Sequence, residues 1–206
     1  MKTKAIMVGA LLLGLFAVQS RAGTDEFAPR GDGFIRDWLL LALIQLAADA
    51  DGAEAIEKNQ IPDEGQLKPK AGDKVTVRGK EFTWKKVKAT DYFLDLNAIC
   101  NAETEKTVAY AVAYVQVDEE RKNLKLKMGS NDEGKVFLNG KLLLKTSEGR
   151  TLDQDSDTAR DITLNKGINV VVFKIFNEGG SDWQGCLRFT DASDKPVTNL
   201  VIKLEP

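Results

Sequence analysis

An all-β antiparallel sandwich, with a short helical and irregular N-terminal lead-in, is the fold predicted by three features of the sequence. From Val75 onward, short runs rich in β-branched and aromatic residues are separated by turn signals. One such turn, Asn139-Gly140, lies between two apolar runs, the strongest short-range sign of a hairpin because both central residues need positive φ. One run, Thr107 to Val117, is apolar on both faces, which places it at the centre of a layered structure.

The elements follow in chain order. Residues 1–22 join a basic start (Lys2, Lys4) to an apolar run from Ala5 to Val18 and then Ser20-Arg21-Ala22. That is the pattern of a secretory signal peptide, too short and wrongly flanked for a spanning helix. Residues 23–33 mix Gly, Pro and charges and read as a flexible lead, with a single sandwich domain over 34–206. Phe34 to Ala48 is strongly apolar, and periodicity leaves strand and short helix both open. Gly52 to Asn59 reads as helix, and residues 62–74, with Pro62, Gly65, Pro69 and Gly72, as connecting loop.

Glu81 to Lys88 and Asp91 to Leu96 read as strands, and Lys85-Lys86-Val87-Lys88 as the solvated face of the first. In Thr107 to Val117, one face holds Val108, Tyr110, Val112 and Tyr114, and the other Ala109, Ala111, Ala113 and Val115. The small residues let a second layer approach closely. Leu124, Leu126 and Met128 alternate with Lys125 and Lys127 as a half-buried strand. Lys135–Leu138 and Lys141–Lys145 flank the Asn-Gly turn, and further strands are expected at Ala159–Leu164, Ile168–Phe176, Cys186–Thr190 and Val197–Leu204.

Composition narrows the function. At 206 residues, with 43% hydrophobic and 29% charged, the chain can bury a core without metals or disulfides. Of its 29 basic residues, Lys2, Lys4 and Arg21 fall within residues 1–22, so the remainder is net acidic against 31 Asp and Glu. Such a chain has no general attraction to nucleic acid or anionic lipid. The absence of histidine removes Ser-His-Asp and Cys-His machinery and the commonest zinc ligand. No P-loop or dinucleotide fingerprint is present. Paired-carboxylate chemistry stays open, but nothing singles out two of the acids. Cys100 and Cys186 permit one disulfide in an oxidising compartment, worth about 4–5 kcal/mol on the chain-entropy model, or two separate buried thiols.

Two segments carry a resemblance. Gly129-Ser-Asn-Asp-Glu-Gly-Lys-Val-Phe-Leu-Asn-Gly-Lys141 is one, and Leu164-Asn-Lys-Gly167-Ile-Asn169, followed by Trp183 and Leu187-Arg-Phe-Thr-Asp191, is the other. Together they resemble the galactose-binding-like jelly-roll sandwiches found beside secreted glycoside hydrolases and as carbohydrate-binding modules. The resemblance spans roughly residues 90–204. Trp38-Leu39-Leu40-Leu41 would correspond to the opening strand, but Ala42-Leu43-Ile44 stands where Gly-Pro-Phe commonly follows.

The resemblance implies an exported, non-catalytic domain that binds carbohydrate or an envelope glycoconjugate. Sugar binding asks for an aromatic plate and for amides or carboxylates that meet hydroxyls. Trp183, in a Gly-rich loop, is the first candidate, with Trp84, Tyr92, Asn131 and Asp132 beside it. Each has a plainer role as core or turn residue. Asp153, Asp155 and Asp157 raise a structural calcium ion, common in such modules. Thr158 and Leu164 occupy the places of the EF-hand glycine and glutamate, so a solvated acidic loop is the better reading. No other cofactor is expected. The competing function is an envelope structural or protein-interaction domain, which would expose an apolar patch such as Phe34 to Ile44, with a secreted protein as partner.

Overall fold

The computed structural model describes residues 25–206, so the signal-peptide reading of residues 1–22 lies outside the described residues. The first strands are β1 (Glu26–Phe27), β2 (Asp37–Gln45), β3 (Lys74–Val77), β4 (Lys80–Thr83), β5 (Lys85–Lys88), β6 (Leu94–Asp95) and β7 (Thr107–Val117). They are followed by β8 (Arg121–Asn131), β9 (Gly134–Leu138), β10 (Lys141–Thr146), β11 (Asp157–Leu164), β12 (Gly167–Asn177), β13 (Gln184–Thr190) and β14 (Val201–Lys203). Two short helices, α1 (Gly52–Glu57) and α2 (Leu96–Cys100), and a 3-10 turn at Glu64–Gln66 interrupt the strands.

The larger sheet runs β1-β14-β7-β12-β9-β10, and the smaller runs β11-β8-β13-β6. All pairings are antiparallel, as an all-β sandwich requires. One edge of β7 is divided between two partners. β2 pairs with its first half and β14 with its second. The lead read as flexible is tied to the sheet at β1, which pairs with β14. The apolar stretch after Phe34 is a strand. Asp91 to Leu96 yields only the two residues of β6, because the Asp95 carboxylate accepts the Ala98 N–H (2.9 Å) and starts α2 instead.

The two apolar faces of β7 explain the layering. Ala109, Ala111, Ala113 and Val115 face the smaller sheet, where Trp38, Phe173, Leu126, Met128, Trp183 and Phe189 complete a wholly apolar core. Val108, Tyr110, Val112 and Tyr114 face outward, and a third layer covers them. That layer is an arm formed by residues 46–84, which brings Ala55, Ile56, Ile61, Val77 and Trp84 onto the sheet. At the Asn-Gly turn, Asn139 (φ 50°) and Gly140 (φ 84°) are both left-handed, as the hairpin demands. A side chain at Gly140 would also collide with Gln66 of the arm.

Charged groups hold the arm down. Tyr110, Lys174 and Lys135 stand in one row across β7, β12 and β9. Glu64 bridges the row: Tyr110 Oη donates to Oε2 at 2.6 Å, Lys135 Nζ lies 3.0 Å from Oε1, and Lys174 Nζ lies 3.2 Å from Oε2. Lys174 is wholly buried and also donates to the Ile56 and Lys58 carbonyls, which the end of α1 leaves without helical donors. Tyr114 Oη donates to the Pro69 carbonyl at 2.7 Å. Burial pushes the Lys174 ammonium down to about 8, against the opposing pull of Glu64.

Candidate functional site

The structure distributes the residues chosen from sequence rather than gathering them. Trp183 is 0% exposed and belongs to the core between the sheets, so it is not available to a ligand. Its Gly-rich loop leaves Gly180 to Asp182 outside and folds the indole under the end of the sandwich, where its carbonyl accepts the Leu96 N–H. Trp84 is buried between arm and sheet. Tyr92 is half-buried in an aromatic group with Phe34 (5.3 Å) and Phe93 (5.0 Å).

Asn131 is buried at the end of β8, opposite Gln184. Asp132 Oδ2 accepts the Glu178 N–H at 2.8 Å, the turn-holding role of such a residue. Next to it, Glu133 is buried against Gly52 with Oε2 unpartnered, and burial raises its carboxyl to about 7. The three loop aspartates do not converge. Asp155 takes Arg188 in two contacts, Asp157 takes Arg150, and the Asp153 carbonyl accepts the Ser156 hydroxyl. Among the described residues no cluster of three acidic, cysteine or histidine side chains is placed to hold a metal. Cys100, half-buried at the end of α2, and Cys186, buried in β13, are both free thiols rather than a disulfide. Burial drives the Cys186 thiol up to about 12.

An open cavity lies elsewhere, at the junction of β2, β4, β5 and α2. Its origin is a fault in β2. The pairing of β2 with β7 shifts register between Leu41 and Ile44, and Leu43 takes a left-handed φ of 66°. A branched residue in that conformation costs about 1–2 kcal/mol relative to ordinary backbone. β5 accompanies β2 only from Asp37 to Leu40 and then diverges through Trp84 into β4. The gap is a groove of about 390 Å³, wider than the cleft of about 260 Å³ beside α1.

Leu40, Ala42 and Leu43 line the groove from β2, and Ile99 and Cys100 from α2. The strand-turn-strand segment adds Lys80, Glu81, Phe82, Thr83, Lys85 and Val87. Phe82 is half-buried, and Lys80 Nζ sits 5.2 Å above its ring. Glu81 is the one carboxylate in the lining, and it pairs with Lys74 at 2.8 Å. Burial raises the Cys100 thiol, with Lys85 pulling the other way. The lining thus joins apolar surface and an aromatic ring to a few polar groups, the composition of a small-molecule site. Of these residues only Cys100 was singled out by sequence, and as a disulfide partner rather than a ligand contact; the departure at Ala42-Leu43-Ile44 was the signal that could have found the groove.

The remaining exposed surface offers less. The expected apolar patch from Phe34 to Ile44 is mostly buried between the two cores, and the large exposed hydrophobics are Leu142 and Ile168. Lys127 and Lys125, the polar positions of half-buried β8, turn onto Asp194 and hold its carboxyl down to about 2. Among the described residues no helix is long and apolar enough to cross a membrane.

No family model matches the chain, and no curated protein matches it. Among solved structures it is similar to a glycosyl hydrolase family 2 member from Bacteroides cellulosilyticus, at 11% identity and a TM-score of 0.40 over 81% of this chain. It is also similar to a GH31 alpha-xylosidase from Xanthomonas citri, at 9% identity and a TM-score of 0.36 over 86% of this chain. The chain spans about a fifth of the length of each, 21% and 18%.

Proposed function

We propose that this chain is an exported, non-catalytic binding module of the galactose-binding-like kind, and that it holds a carbohydrate or glycoconjugate in the groove beside the β2 bulge. The observation that carries this reading is the composition of the groove. Phe82, Leu43 and Ile99 provide a surface for the C–H face of a sugar ring, while Thr83 and Glu81 meet its hydroxyls. The motifs over residues 90–204 support the same ligand class. A backbone outlier at Leu43 beside the cavity is where a functional constraint is expected to accumulate strain. Glycosidase chemistry needs two carboxylates, and the groove lining has only Glu81, already paired with Lys74.

The test is a screen of the protein against immobilised saccharides, repeated with Phe82→Leu, which keeps apolar volume but removes the ring plane. Loss of the ring is expected to weaken binding about threefold to tenfold with the thermal midpoint nearly unchanged. Retention by Phe82→Leu of full affinity, or binding that depends on Asn131 and Asp132, would place the ligand elsewhere.

A further inference from the structure

We infer that the groove selects acidic saccharides, those whose ring carries a carboxylate or a sulfate; this rests on the saccharide reading above and adds the charge of the ligand. Three charged side chains line the groove, and their partners differ. Glu81 is neutralised by Lys74. Lys80 and Lys85 have no carboxylate within ion-pair distance among the described residues. Their neighbours on β5 are engaged: Lys86 pairs with Asp25 and Glu205, and Lys88 with Asp37. The groove therefore keeps two uncompensated ammonium groups in a chain that is net acidic overall.

That placement sets what can bind. The acidic remainder of the molecule gives no long-range attraction for an anion, so selectivity must come from short contacts inside the groove. Lys80 is held beside the Phe82 ring, so a ligand packed on that ring meets the charge directly. Lysine is a point charge with three rotating donors and does not distinguish a carboxylate from a sulfate by shape, which leaves both chemistries in the class. A neutral sugar in the same place would leave both ammonium groups facing only water.

The experiment is a calorimetric titration of the protein with three probes: a galacturonic acid trimer, a 6-sulfated galactose and neutral galactotriose, each at low and at high salt. Either acidic probe is expected to bind about tenfold more tightly than the neutral one at low salt, with the advantage shrinking at high salt. Preference for only one acidic probe assigns the carboxylate or the sulfate. The double variant Lys80→Gln/Lys85→Gln should abolish the preference while keeping neutral binding, whereas Phe82→Leu should weaken all probes alike. Both lysines are exposed, so the double variant is expected to fold. Equal affinity for all three probes overturns the charge inference and leaves saccharide binding standing. No binding of any probe by folded protein removes both.

Discussion

The two faces of β7 bury equally well but by different means. On the alanine face the space is filled by Trp38, Phe173, Trp183 and other apolar side chains, with a tilted Trp38–Phe173 pair at 6.5 Å between ring centres. On the tyrosine face a second hydrophobic core is combined with Glu64, Lys135, Lys174 and two tyrosine hydroxyls. Apolar packing is tolerant of partner and register, whereas a buried ion cluster accepts only a partner that completes it. The difference teaches that the sandwich is closed by packing alone, whereas the arm adds a buried ion cluster to its packing. Because the arm ends in β4 and leads into β5, the charge network also positions one side of the groove.

The largest expected effect lies on the alanine face. Phe173→Ala opens a cavity between the sheets and should cost about 4 kcal/mol, read as a global fall in the denaturation midpoint. On the tyrosine face, Glu64→Gln leaves buried Lys174 with no paired carboxylate among the described residues and Lys135 with only Glu57, at 3.7 Å, and should cost about 3 kcal/mol. Its signature differs. Hydrogen exchange should quicken first in α1 and residues 58–70, with β7 and β8 still protected, and a uniform loss of protection would break the contrast between the faces.

A smaller effect, from two buried groups that both meet the arm, is read by pH. Lys174 has a folded value of about 8 against an ordinary 10.5, so between those values the unfolded chain binds more protons and stability rises with pH. Glu133, with a folded value of about 7 against 4.5, works in the opposite direction. The folded chain binds more protons between those values, so stability falls as pH rises through them. Urea midpoints of the protein, compared with Lys174→Met above pH 8 and with Glu133→Gln below pH 7, should each lose the corresponding slope. The smallest effect is at the N-cap of α1. Asp51 accepts the Glu54 N–H at 3.0 Å, and Asp51→Ala should cost about 1 kcal/mol, confined to the arm.

Much of the sandwich could be read from the chain. The two-faced pattern of Thr107–Val117, the Asn139-Gly140 turn and the alternation around Met128 are local signals, and each appears where expected. The arm was less legible because its decisive contacts join distant positions. Glu64 lies in a stretch rich in Pro and Gly that reads as loop, and Tyr110, Lys135 and Lys174 become neighbours only through strand register. The candidate site was read least well. Residue type favoured Trp183 and Trp84, yet large aromatics in a small sandwich are drawn into its cores by the area they bury. The groove arises from a bulge in β2, and a register fault has no fixed residue signature.

The groove as a saccharide site is tested most directly by amide chemical-shift mapping of the protein during titration with the galacturonic acid trimer. Saturable shifts concentrated at Leu43, Lys80 to Lys85 and Ile99 are the predicted result. Shifts centred on Asn131, Asp132 and the loop before Trp183, with the groove unaffected, would contradict it.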